Sequence, residues 1–266
     1  MPNRIDTTFA LLRAAEKKAF IAYICAGDPG FDATRDLALA FDNIGVDVLE
    51  LGVPFSDPLA DGIVNQLASQ RALEAGATVR GVIDCVRAIR ERSQIPIVLY
   101  TYMNPIYVFG FAKFHREAEA AGVDGLLILD LPPDEESADL SVKGSLKHIR
   151  LIAPTTPPER IAQITKSADG FIYYVSREGV TGERATIADS LDERVAAIRK
   201  TTSLPITVGF GVSSPETAKQ TARSADGVVV GSAIVKRIAE NSGSPDMVEK
   251  VCAFVRPLVD AVKSIG

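Results

Sequence analysis

The apolar residues of the chain gather into eight short runs, each followed by a polar loop and then by a stretch of helical periodicity. The runs are AFIAYICAG (19–27), IGVDVLELG (44–52), IPIVLYT (95–101), AGVDGLLILD (121–130), HIRLIAP (148–154), SADGFIYYVS (167–176), LPITVGFG (204–211) and SADGVVVGS (224–232). Their apolar character is continuous rather than alternating, which predicts parallel strands buried on both faces. Amphipathic helices are expected over 33–44, 78–93, 111–122, 158–168 and 191–202. In the third, Phe111, Phe114, Ala118 and Ala121 recur at helical spacing. Pro29, Pro133, Pro158 and Pro215 stand where helices should begin. A further helix is expected ahead of the first strand, with Ile5, Phe9 and Leu12 on one face. The tail from Ser244 reads as a last helix kinked near Pro257.

Strands alternating with helices build right-handed βαβ units and a parallel sheet. An open doubly wound sheet usually has fewer strands and needs a switch point. Eight units in 266 residues favour closure, since a (β/α)8 barrel (TIM barrel) typically takes about 250 residues. The expected fold is therefore one α/β domain over 1–266, a (β/α)8 barrel with an extra N-terminal helix and a short extra helix at an anion site.

Composition narrows the function. A net charge of −5 does not draw the chain to nucleic acid or anionic membrane. No apolar run approaches the roughly 18 residues that span a bilayer. The start MPNRIDTTF lacks the apolar core of a signal peptide. Cys25, Cys85 and Cys252 are scattered without a CxxC pair, as expected of reduced thiols in a cytoplasmic protein. His115 and His148 are the two histidines and have no clustered ligands, so no metal site is expected.

In such barrels chemistry gathers at the C-terminal ends of the strands. The second run ends in Glu50. With period two, Val46, Val48 and Glu50 share one face, expected inside, while Asp47, Leu49 and Leu51 share the other. A carboxylate atop an apolar interior has its charged form disfavoured, which suits it to proton transfer near neutral pH. The alternative is a salt bridge, for which Arg150 is the strand cation at hand. The following loop, GVPFSDPLADG (52–62), carries Asp57 and Asp61. Asp61 lies far enough along to fold back over Glu50, although both aspartates equally suit turns or helix caps.

Three glycine-bearing loops point to a phosphate: SREGVTGER (176–184), GFGVSSPETA (209–218) and GSAIVKR (231–237), the last opening a helix at Ser232. Glycines let backbone amides approach an anion, and a helix N-terminus adds a positive dipole end. Glycines equally serve tight turns alone, but phosphate held after strands seven and eight is a recurring barrel arrangement. Tyr23, Tyr100, Tyr102, Leu127, Tyr173 and Phe210 fall near strand ends, as core filler or as the walls of a slot for a flat ring. No lysine lies in a predicted strand, which argues against a Schiff-base aldolase and against pyridoxal phosphate held by this chain. No GxGxxG follows a strand. Metal-free carboxylate chemistry on a phosphorylated ligand remains.

The chain resembles the tryptophan synthase α-subunit family. The resemblance is carried above all by LELGVPFSDPLADG (49–62), and also by AFIAYICAGDPG (19–30), PIVLYTYMNPIYVFG (96–110), SREGVTG (176–182), PITVGFGVSSPE (205–216) and VVVGSAIV (228–235). The likeness spans nearly the whole chain. It implies retro-aldol cleavage of indole-3-glycerol phosphate, with Glu50 as general acid–base and Asp61 on the indole ring N–H. It further implies substrate contacts from Tyr23, Tyr100, Leu127, Tyr173, Thr181 and Phe210, and a phosphate on Gly182, Gly211, Gly231 and Ser232. It implies a partner, a pyridoxal-phosphate β subunit in an α2β2 complex, with loops 53–61 and 177–190 as lids facing it, and no cofactor in this chain. The sequence departs from the family pattern at Ile63 and Asn65, where proline and an aliphatic residue are usual. It departs again at Tyr23 and Tyr100, where some members have phenylalanine and leucine. Two enzymatic alternatives stay open: a stand-alone indole-producing lyase, and a sugar-phosphate isomerase or epimerase on the same barrel. A regulatory, non-catalytic barrel is a third.

Overall fold

The computed structural model describes residues 2–132, 144–175, 184–209 and 211–266, with 184–190 described by backbone alone. All eight predicted strands form, the fifth in two pieces: β1 (Ala19–Cys25), β2 (Val48–Gly52), β3 (Ile97–Thr101), β4 (Gly125–Ile128), β5 (Lys147–His148), β6 (Arg150–Ile152), β7 (Ile172–Val175), β8 (Ile206–Gly209) and β9 (Gly227–Val230). They hydrogen-bond in the order β5-β4-β3-β2-β1-β9-β8-β7-β6, and every pairing is parallel. Only Ile149 separates β5 from β6, so the two ends of that order meet and the sheet nearly closes into a barrel. The break marks a change of neighbour. β5 pairs with β4, β6 pairs with β7, and the Ile149 N–H still donates to the Leu126 carbonyl at 2.9 Å.

The helices are α1 (Arg4–Ala14), α2 (Phe31–Asn43), α3 (Ile63–Glu74), α4 (Val79–Arg90), α5 (Met103–Phe109), α6 (Phe111–Ala121), α7 (Pro158–Lys166), α8 (Arg184–Arg199), α9 (Pro215–Ser224), α10 (Ser232–Asn241) and α11 (Met247–Lys263). Pro158 and Pro215 open α7 and α9, where a missing N–H is harmless. Pro29 precedes α2 by two residues, and Pro133 lies outside the described residues. Pro257 sits inside α11, which continues through it to Lys263.

Strand alternation sorts the apolar residues into two layers. Ile21, Val48, Val98, Leu127, Ile149 and Val229 fill the barrel interior. Phe20, Leu49, Leu51, Ile97 and Leu99 face outward onto Leu37, Phe41, Val82 and Phe114 of the helices. Fully burying one such side chain contributes ~1.5–3 kcal/mol, so this double layer fixes the direction of every strand side chain. Val46 corrects the sequence reading. β2 begins only at Val48, and Val46, placed before the pleat, packs in the outer layer and donates its N–H to the Phe41 carbonyl.

The expected helix α1 seals the bottom of the barrel. The Asn3 side chain accepts the Ile5 N–H at 2.9 Å and caps the helix. Ile5 and Phe9 then pack with Phe171 in the interior cluster. Lys147 is a second correction, because it lies in a strand after all. It stands at the sealed end, ion-paired to Asp6 of α1 at 2.7 Å. Only the opposite, C-terminal end of the barrel is left for a ligand. Among the described residues no helix is long and apolar enough to cross a membrane.

Candidate active site

Glu50 points into the barrel two residues from the end of β2, in register with Tyr23 of β1 and Val98 of β3. It is only 1% exposed, and neither carboxyl oxygen has a hydrogen-bond partner among the described residues. The bond to Arg150 that the sequence left open is not made; Arg150 Nη1 instead donates to the Leu131 carbonyl at 3.4 Å. Burial without compensation penalises the charged form, and the Glu50 carboxyl is pushed up to about 8. At neutral pH it is a carboxylic acid with a proton to give.

Asp61 takes the first of its two readings. The cap position of α3 is Gly62, with no side-chain cap, so Asp61 does not cap the helix. It folds toward the mouth and accepts from two phenols, Tyr100 at 3.0 Å and Tyr102 at 2.7 Å. Asp57 remains exposed, bonded to the neighbouring Ser56 hydroxyl at 2.5 Å.

A cleft of about 370 Å³ opens over Glu50. Tyr23, Tyr100 and Tyr173 wall it, and Gly211, Gly231 and Ser232 form its far rim. Two strand-end glycines give the phenols room. A Cβ on Gly52 would run into the Tyr23 hydroxyl, and one on Gly209 into that of Tyr173. Gly211 adopts φ +60°, a left-handed conformation that side chains resist. The first residue of α10 is Ser232, so a helix N-terminus, with its unpaired amides and positive dipole end, borders the cleft.

Of the other residues singled out, Leu127 lies in the apolar layer of the barrel interior at 1% exposure, not among those lining the cleft. Tyr102 is buried against Phe55 and reaches the site through Asp61. Thr181, Gly182 and Phe210 lie outside the described residues. The structure adds Asn65, Ser213 and Lys236 to the lining. Lys236 follows Ser232 by one helical turn, a spacing that the loop GSAIVKR already displays and that could have marked it as a cation near the anion site.

Fold and site together define a (β/α)8-barrel enzyme that sets a buried carboxylic acid against a cleft rimmed by glycines and a helix N-terminus. The family model for the tryptophan synthase alpha chain matches residues 9–263. The tryptophan synthase alpha chain of Opitutus terrae is 53% identical, over 98% of this chain and 99% of its own. The structure of the alpha chain from Legionella pneumophila superposes with a TM-score of 0.90 at 37% identity, covering 100% of this chain and 99% of that one. Tryptophan synthase from M. tuberculosis gives a TM-score of 0.87 at 33% identity, covering 98% and 99%. The chain belongs to the tryptophan synthase alpha chain family.

Proposed function

We propose that this chain is a carbon–carbon lyase that cleaves indole-3-glycerol phosphate to indole and glyceraldehyde 3-phosphate. The observation that carries the reading is the unpartnered Glu50 carboxyl, pushed up to about 8, opposite the Gly211, Gly231 and Ser232 rim. Indole becomes a leaving group once its C3 is protonated. The neutral Glu50 donates that proton and becomes a carboxylate, while the ring takes up positive charge at nitrogen. Asp61 accepts the ring N–H and stabilises that charge, an effect strengthened where water is excluded. The Glu50 carboxylate then removes the proton of the glycerol hydroxyl next to the ring. The carbon–carbon bond breaks, the aldehyde forms, and its electron pair restores the indole. Glu50 ends the cycle protonated, as it began. Such proton transfer is typically worth about 10²–10⁴ in rate.

The substrate phosphate rests on the amides of Gly211, Gly231 and Ser232, joined by Gly182, while Tyr23, Tyr100, Tyr173, Thr181 and Phe210 border the rest of the ligand. Indole passes to a β subunit that holds pyridoxal phosphate, in an α2β2 complex in the cytoplasm. The apolar side chains of Leu59 in the loop after β2 and of Tyr107 and Val108 on the helix after β3, 90%, 71% and 77% exposed, lie on segments that follow C-terminal strand ends, which supports a partner on the mouth side. The test is a substrate screen with the purified chain. Indole release from indole-3-glycerol phosphate is expected. Turnover of sugar phosphates with indole-3-glycerol phosphate left intact would assign the site to an isomerase instead.

A further inference from the structure

Two of the positions at which the sequence departs from the family pattern, Tyr100 and Asn65, meet at one atom. The Tyr100 hydroxyl donates to Asp61 Oδ1 at 3.0 Å, and Asn65 Nδ2 approaches the same oxygen at 3.5 Å. Tyr100 comes from β3 and Asn65 from the first turn of α3. The orientation of the Asn65 amide follows from the charge it faces, because the turned amide would set its carbonyl oxygen against the carboxylate. As placed, Asn65 Oδ1 is buried without a partner, and the residue lines the cleft. On the other side, Tyr102 donates to Asp61 Oδ2 at 2.7 Å and accepts the Ala60 N–H at 3.0 Å. Both rings are fixed before they donate. Tyr23 packs edge-on against Tyr100 at 5.0 Å, and Phe55 packs on Tyr102 at 5.3 Å. Leucine at 100 or an aliphatic residue at 65 has no donor to offer this carboxylate.

We propose that Tyr100 and Asn65 are positioning residues that hold the Asp61 carboxylate at the barrel mouth before any ligand binds. The proposal rests on the reading of Asp61 as the acceptor of the indole N–H. A carboxylate offers about four acceptor sites. Tyr100, Tyr102 and Asn65 occupy three, and one stays open for the ring. A loop already ordered need not be ordered at the moment of binding, which is how preorganisation raises affinity.

The test measures two quantities in wild type, Y100F and N65A. The first is amide hydrogen exchange at Ala60 and Asp61 without ligand, with Y102F as the control that directly removes the Ala60 partner. The second is the Kd of an indole-3-alkyl phosphate lacking the glycerol hydroxyls, measured also with D61N and with Y100F/D61N. Y100F should speed exchange at Ala60, whose N–H is bonded to Tyr102 and not to Tyr100, and weaken binding by roughly tenfold, the scale of a hydrogen bond to a charged group. In the D61N background the same change should move Kd by less than about twofold, because the partner is already altered. N65A should act in the same direction and less strongly. Unchanged exchange in both variants overturns the proposal whatever happens to binding. Faster exchange with an equal binding loss in the D61N background also overturns it, since Tyr100 would then act other than through Asp61. If wild type fails to bind the analogue, the functional reading of the site falls, and exchange alone decides whether Tyr100 and Asn65 hold Asp61.

Discussion

At the scale of the residue, Glu50 combines two properties that stability alone would not select. It is charged by composition and buried without a partner, an arrangement that costs free energy unless the group stays protonated. The linkage has a definite sign. In the unfolded chain a glutamate titrates near pH ~4.3; in the folded chain Glu50 is raised to about 8. Between these values the native state keeps a proton that the unfolded state has lost. The stability is therefore fully present below the unfolded value and is lost as pH rises through the folded one. At about 1.4 kcal/mol per pH unit, the loss is on the order of 3–5 kcal/mol. E50Q has no such proton to lose. Its Tm should nearly match that of wild type at pH 5 and exceed it by roughly 5–15 °C at pH 9. Thermal melts across that range check this, and a Tm difference independent of pH would contradict it. The same protonation orders the kinetics. If the resting acid starts the reaction, kcat/KM should fall above about pH 8, the value to which Glu50 is raised, and a steady-state pH profile reads this directly.

At the scale of the element, each strand end presents one residue and its following loop presents amides. Gly211 tests the second half of that division. A Cβ placed there meets no atom within 4 Å, so Gly211→Ala is opposed only by the left-handed φ, at ~1–2 kcal/mol. The folded state survives that, but relief of the strain shifts the backbone that borders the cleft. We expect KM for indole-3-glycerol phosphate to rise about tenfold or more with kcat changed far less, the pattern of lost uniform binding. Initial-rate measurements separate the two.

The elements also show what the sequence displays. Eight apolar runs became strands because burial on both faces leaves a continuous signal. Glu50 was legible because it interrupts such a run. Helix α3 was not, since its buried face is only Ala68, Ser69 and Ala72, small residues that make no apolar stripe. Helix α5 was hidden in the same way, with Pro105 inside seven residues and Tyr107 and Val108 exposed. The fate of Asp61 was undecided because its partners, Tyr100 and Tyr102, lie some forty residues away in the chain, and a contact at that distance has no periodicity. Lys147 escaped the strand count because β5 starts one residue before the predicted run.

At the scale of the whole molecule, α1 closes one end of the barrel and the cleft opens at the other. Leu59 lies two residues before Asp61, and Tyr107 and Val108 are exposed on α5, which follows the C-terminal end of β3, so a partner that covered them would also bear on catalysis. Val108→Asp should abolish comigration with the β subunit of the same organism in gel filtration. It should leave the indole release of the isolated chain within about twofold, because an exposed substitution away from the site rarely disturbs the fold. Loss of both together would mean that the change had damaged the barrel itself. Beneath all of this lies the proton on Glu50. The most direct measurement is indole release from indole-3-glycerol phosphate by wild type and E50Q, with binding of the substrate followed in parallel. The account predicts that E50Q binds substrate within a few-fold of wild type yet loses at least about 10²-fold in kcat. An E50Q enzyme that releases indole at the wild-type rate would contradict it.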